Sequence, residues 1–349
     1  MKRWLIGALL FLTSFCAAAC PLCFTGFALN ITAQDLVDAE RSVLALPEGG
    51  GQRLRVIEVI RGKAPADGIV EADAVFKLDA SSFASVKPLL LLRRDKWPHW
   101  VNFGAIDPSS VGWLRELAAG KRAIEMTDAD WQAHVASLLP YLENPEPLVA
   151  DIAYGELASA PYAALRTLKP RLDAPTLRRW VDNPQLAQRQ SMYTLLLGIA
   201  GDEKDAARFD RRLDAAWTSK DVTNLGPMLT ADLELRGASR MKWIDDKYIR
   251  DRNRSTSELD AALLALSVQG NANGAVPRER VIRSYRVFMK EHKTLAGFVA
   301  QDLAAWKYWD AVPEYRALLK SDPPQHPASQ IAIVAYLRQS PGGTGGTQE

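Results

Sequence analysis

The feature that most constrains the fold is a change of hydrophobic period part-way along the chain. Before Pro108 the apolar residues alternate or run in short blocks; after Met126 they recur every three to four positions. Strand periods first and helix periods afterwards predict an α+β protein rather than an interleaved α/β one. Thr32–Glu40 reads as a short helix, with Thr32 at the cap and Asp35 three residues on. Arg41–Leu46 is a strand ending in the glycine-rich loop 47–52. Arg53–Ile60 alternates Leu54, Val56 and Ile60 with Arg55 and Glu58, and stops at Arg61-Gly62-Lys63. Gly68–Phe76 and Pro88–Arg94 supply further strands, the second a continuous apolar run suited to burial on both faces. Lys96–Trp100 reads as an aromatic loop. The expectation is a small antiparallel β domain over 20–106 and a linker over 107–126.

From Thr127 the pattern is helical to residue 340. Segments fall at Pro147–Leu168 (broken at Pro161), Gln185–Ala200, Asp202–Trp217, Asn224–Leu235, Glu258–Val268, Pro277–Lys290, Phe298–Lys320 and Ala328–Leu337. Short Gly- or Pro-bearing links between them predict a helical-repeat domain of HEAT-like solenoid type; a compact bundle is the alternative. Residues 341–349, rich in Gly and Thr, read as a disordered tail.

Residues 1–19 have the three parts of an export signal: basic Lys2 and Arg3, an apolar stretch Trp4–Phe15, and small Ala17 and Ala19 before a cleavage point. That stretch falls short of the roughly 20 residues that span a bilayer. With Lys2 and Arg3 removed, basic and acidic residues balance at 41 each. A chain so balanced is not expected to take nucleic acid as a partner. Composition that is 48% hydrophobic and 24% charged excludes global disorder.

Cleavage after Ala19 makes Cys20 the first mature residue, and Cys20 and Cys23 the only mature thiols. Four readings stay open. They form a local disulfide in an oxidising compartment, or cycle as a redox pair. With the terminal amine they hold Cu or Zn as metal ligands. Or Cys20 is acylated, which makes the chain a lipoprotein held to a membrane surface. No second CxxC and no HxxxH is present to close a four-ligand site.

Cys20, the helix end Asp38-Ala39-Glu40 and the run Val56–Lys63 together resemble the netrin-like, metalloprotease-inhibitor type of OB barrel. In that family the terminal Cys amine and carbonyl chelate an enzyme's zinc, which would give Cys20 that role here. The family spaces its first cysteines C-x-C, whereas this chain has C-x-x-C. The layout as a whole is similar to a group of uncharacterised exported bacterial proteins that begin Cys-Pro-x-Cys and continue into helices. The matching stretches are Cys20–Cys23, Ile57–Lys63, Ala153–Tyr162, Leu195–Gly201 and Asp302–Asp310. This second resemblance implies export and architecture, and no activity.

Catalytic constellations are not apparent in the sequence. His99, His134, His292 and His326 stand apart from one another, and there is no P-loop, GxGxxG, GxSxG or HExxH. His134 reads as a structural residue of an amphipathic helix, and Trp97 and Trp100 as a seal at a barrel end or domain junction. Asp245-Asp246 reads as a solvated face, Arg250–Arg254 as a charged linker, and Trp306, Tyr308 and Trp309 as packing residues. The function expected is therefore an exported, non-enzymatic binding or scaffold protein with a protein partner, located in the periplasm or anchored to the bacterial envelope. The alternative is a periplasmic thiol-redox or metal-handling protein acting through Cys20 and Cys23. Export predicts that protein recovered from an envelope fraction begins at Cys20; terminal sequencing that finds Met1 retained would overturn the leader.

Overall fold

The computed structural model describes residues 31–48, 53–71, 87–95, 97–272 and 274–342. The chain is α+β: a five-stranded antiparallel sheet curled into a half-barrel, followed by a mainly helical region. The described residues gather into two compact units, 31–161 and 162–342.

In the first unit a short helix α1 (Ala33–Asp38) opens with the expected reciprocal cap between Thr32 and Asp35. Five strands follow: β1 (Arg41–Glu48), β2 (Arg53–Arg61), β3 (Ile69–Glu71), β4 (Leu89–Arg94) and β5 (Trp97–Ala105). The spatial order is β3-β2-β1-β4-β5, with every ladder antiparallel. β1 is central, and its Ser42, Val43, Leu44 and Ala45 are all fully buried. β4, the continuous apolar run, is likewise buried through Leu89, Leu90, Leu91 and Leu92. Val43, Ala45, Leu54, Val70, Leu89, Leu91 and Trp100 form one core cluster.

The opposite face is covered by helices. α1 packs on β4, and α2 (Val111–Ala118) packs on β2 and α1. Arg61, at the end of β2, ties these layers together. Its Nε donates to the Ala39 carbonyl at 2.9 Å, and its Nη1 donates to the Ala118 carbonyl, so one guanidinium caps the ends of α1 and α2. Gly62 then turns at φ +75°, where a Cβ would lie 2.4 Å from the Glu40 carbonyl. The Arg-Gly-Lys strand end is thus a structural joint. α3 (Asp128–Leu138) and α4 (Pro147–Ser159) also belong to this unit; α4 packs against α1 and β5.

Two sequence expectations are corrected here. The loop expected over Lys96–Trp100 is strand from Trp97 onward: β5 runs from Trp97 to Ala105 because its ladder to β4 satisfies the backbone, and Trp100 enters the core, while Lys96 lies outside the described residues. The 107–126 segment is no simple linker either, since it carries α2 and a 3-10 turn at Ala123–Glu125. Leu114 and Leu117 on α2 are buried, which gives that helix a packing partner the loop reading left out. The side chain of Trp97, the strand continuation to Phe76, and the tail 343–349 lie outside the described residues.

The second unit is helical throughout its described length. It comprises α5 (Tyr162–Arg166), α6 (Ala174–Asp182), α7 (Gln190–Ala200), α8 (Glu203–Ser219), α9 (Leu225–Arg236), α10 (Met241–Ile244), α11 (Thr256–Asn271), α12 (Arg278–Glu291), α13 (Ala300–Ala305), α14 (Val312–Leu318) and α15 (Pro327–Gln339). The single helix expected over Phe298–Lys320 is three pieces. A 3-10 run Lys293–Val299 leads into α13, and Lys307 at φ +55° breaks the chain before α14.

α9 sits at the centre, buried from Leu225 through Leu233 and packed by α7, α8 and α11. Gly198 lets α7 approach α9 closely: a Cβ there would lie 2.4 Å from Ala231 Cα. Glycine in a helix ordinarily costs about 1 kcal/mol relative to alanine, but at Gly198 the obstruction is backbone, which cannot swing aside. Gly198→Ala should therefore destabilise by about 1–3 kcal/mol. Gly112, in α2 with nothing near its missing Cβ, should respond oppositely, Gly112→Ala gaining up to about 1 kcal/mol. Denaturant midpoints that move in the same direction for both variants would refute this packing.

Candidate functional site

The first unit carries an open cleft of about 460 Å³, assembled by three turns. The first follows β5. Ile106 N–H donates to the Pro88 carbonyl at 2.9 Å, and Asp107 then accepts the Ser109 N–H at 2.9 Å, opening a 3-10 turn with Pro108 in first position. Those Ser109 bonds hold the Asp107 carboxyl below the usual carboxylate range. The turn delivers Ser110 and, one step into α2, the half-buried Trp113.

The second turn ends α3. Leu139–Tyr141 tightens into 3-10 geometry, and the Tyr141 ring lies against Trp113 with centroids 4.8 Å apart and planes tilted by 32°. The third begins α4. Asn144 Oδ1 accepts the Glu146 N–H at 2.9 Å, and Pro147 starts the helix. Lys87 closes the rim, its ammonium ion-paired to Glu146; that hydrogen bond raises the lysine above its ordinary value.

Several polar atoms on this cleft have no protein partner. With the Asn144 oxygen engaged by Glu146, the Asn144 amide Nδ2 has none among the described residues, and neither do the Tyr141 and Ser110 hydroxyls. The arrangement is an aromatic wall facing neutral donors and two carboxylates, already compensated in part by Lys87 and Ser109. It can bind a small polar solute. Sequence reading missed it because its residues come from four separate segments joined by turn geometry, and none of those segments has a motif.

A second cluster in the same unit surrounds Glu156, whose side chain is wholly buried within α4. Glu156 accepts from Gln34 Nε2 at 3.1 Å and Gln34 N–H at 3.3 Å, and it pairs with His134 Nε2 at 2.8 Å. Gln34 in turn accepts the Ala123 N–H at 2.8 Å. This network joins α1, α3, α4 and the 123–125 turn, with Trp131 edge-on to the histidine at 5.9 Å. The structural reading of His134 fits that geometry. The signal for Glu156 was a lone carboxylate inside the apolar run Ile152–Ala158.

In the second unit charges are spent on packing. Asp232, fully buried, lies between Arg236 Nε at 3.0 Å and the Arg240 guanidinium; Asp210 meets Arg240 at 2.8 Å, and Arg240 also covers the Trp243 ring at 3.8 Å. Burial raises the Asp232 carboxyl despite these partners.

The solvated-face reading of Asp245-Asp246 is corrected for one member. Asp246 is exposed and pairs with Lys242, but Asp245 points inward to Arg280 and Ser284, on the same face as buried Met241 four residues before and Tyr248 three residues after. The charged-linker reading of Arg250–Arg254 is corrected likewise. Arg254 is nearly buried, pairs with Glu258 at 2.9 Å and lies over Trp217, and Arg252 pairs with Glu291. Trp306 does pack, stacked on Tyr285 with planes 7° apart. His292 is buried and held below its ordinary value by burial, bonded to the Ile249 carbonyl at 3.0 Å; His326 accepts the Ala328 N–H as a helix cap.

Cys20 and Cys23, proposed as ligands of Cu or Zn, lie outside the described residues. Among the described residues no group of three or more His, Cys, Asp or Glu gathers as a metal site. No helix among them is long and apolar enough to cross a membrane.

Removing the buried Glu156 carboxylate leaves the half-buried Gln34 and His134 without their shared partner. Glu156→Ala should therefore cost about 3 kcal/mol, and the isosteric Glu156→Gln, which keeps an acceptor for Gln34, should recover most of it. An unfolding midpoint for Glu156→Ala equal to that of the wild type would show that the network stabilises nothing.

Comparison with family models, with curated proteins and with solved structures gave no match to this chain, so a functional reading rests on the geometry of the two units.

Proposed function

We propose that the chain is an exported, non-enzymatic binding protein: its first unit takes a small polar solute in the 107–149 cleft, and its helical unit works as a HEAT-like scaffold for a protein partner. The cleft carries this reading. Its donors at Tyr141 and Asn144 are held on turns fixed by backbone hydrogen bonds, so little ordering is needed when a solute docks. The half-barrel supports the finer reading of an opened OB-type sheet, because β1 pairs with both β2 and β4, leaving β3 and β5 as edges. The leader at residues 1–19 supports export.

The test is a screen of a small-fragment mixture against the full chain by ligand-observed NMR. Ser109 is exposed on the cleft rim, so Ser109→Trp fills the site without touching the core. The reading expects mutually competitive fragments whose signals vanish with Ser109→Trp. Fragments that bind Ser109→Trp and wild type alike would overturn it.

A further inference from the structure

We infer that the solute taken by the 107–149 cleft is a neutral, polyhydroxylated molecule of the saccharide class, an inference that rests on the binding reading above. Charge decides first. The cleft holds one ammonium, Lys87, and two carboxylates, Asp107 and Glu146. An anion would meet net negative charge. A cation would find Glu146 occupied by Lys87 and Asp107 bonded to Ser109, with the Lys87 ammonium repelling it. Neither ionic class gains a partner it does not have to displace.

Neutral hydroxyls gain several. The Asn144 amide and the Tyr141 and Ser110 hydroxyls are neutral groups with no protein partner among the described residues. The remaining lone pairs of Asp107 and Glu146 accept from hydroxyls without needing a countercharge. The wall opposite is aromatic. The tilted Trp113–Tyr141 pair offers a face on which the C–H side of a pyranose ring buries apolar area while its hydroxyls stay on the polar side. Size agrees, since about 460 Å³ lies in the lower part of the range of small-ligand sites and suits one or two sugar rings. A site this open and polar gives weak affinity, in the millimolar range.

The experiment uses the full chain and saturation-transfer NMR with three neutral disaccharides: cellobiose, maltose and chitobiose. Tetramethylammonium and inorganic phosphate serve as charged probes at the same concentrations. The inference expects saturable binding of at least one disaccharide, unchanged when the salt concentration is raised tenfold. Tyr141→Phe, which keeps the ring and removes the hydroxyl, and Asn144→Asp, which keeps an oxygen for the Glu146 N–H and removes the amide donor, should each weaken it roughly three- to tenfold, the range for loss of one neutral hydrogen bond. Thermal unfolding identical to wild type shows that both variants fold.

Tetramethylammonium or phosphate bound in place of any disaccharide, with Ser109→Trp abolishing it, overturns the saccharide class and leaves the binding reading standing. Disaccharide binding that survives Ser109→Trp overturns the assignment to this cleft. Silence from every probe, together with a fragment screen insensitive to Ser109→Trp, overturns both.

Discussion

The first unit depends on two strands that have no solvent face. β1 and β4 are buried on both sides from Ser42 to Ala45 and from Leu89 to Leu92, so the half-barrel cannot stand with only one side covered. The strands fill the concave side themselves, with Trp100 and Val70 closing on Val43 and Leu91. The convex side needs helices, and the nearest in sequence, α1, is only six residues long. α2 and α4 complete the cover. This requirement draws helices from beyond residue 107 back to the sheet.

Holding those helices in place falls to two polar joints, one at the half-buried Arg61 and one at the buried Glu156. Arg61 caps α1 and α2 from the strand side. Glu156 holds α1 to α4 through Gln34 from the helix side, and Gly155, whose missing Cβ would lie 2.6 Å from the Ile31 carbonyl, lets the backbones touch beside it. Satisfied hydrogen bonds of this kind add little net energy when formed and cost much when broken. Their effect is to fix which helix face meets the sheet, and that also fixes the cleft. α4 starts at Pro147, immediately after Glu146, so the joint at Glu156 sets the position of the rim carboxylate and of its lysine partner.

How much of this the sequence disclosed follows from how local each signal is. The period change, the Thr32–Asp35 cap and the doubly buried Leu89–Leu92 run are written within a few residues, and each appears in the structure where expected. β5 was hidden because its evidence is its partner: Lys96–Trp100 alternates poorly alone, and from Trp97 onward becomes a strand through pairing with β4. Asp245 was misjudged because it was read with its charged neighbours Lys242, Asp246 and Lys247, although its spacing from Met241 and Tyr248 places it on the buried face. The cleft lay beyond any local signal. Asp107, Trp113, Tyr141 and Asn144 are ordinary turn and helix-start residues, and only the folded arrangement makes them neighbours.

Three stretches of the sequence fall on close contacts of this kind. Ala153–Tyr162 holds Gly155 and Glu156; Leu195–Gly201 holds Gly198 against Ala231; Asp302–Asp310 holds Asp302, which accepts the buried Tyr285 hydroxyl at 2.6 Å, and Trp306, whose ring lies over Gly270. Each is a place where a small residue admits a backbone or ring, or where a buried polar group is held by specific hydrogen bonds. Such positions tolerate few replacements whatever the protein binds. The cleft residues Asp107, Tyr141 and Asn144 lie outside all of those stretches, on turns that can change side chain without disturbing the core. The core contacts and the cleft therefore rest on different residues of the same fold.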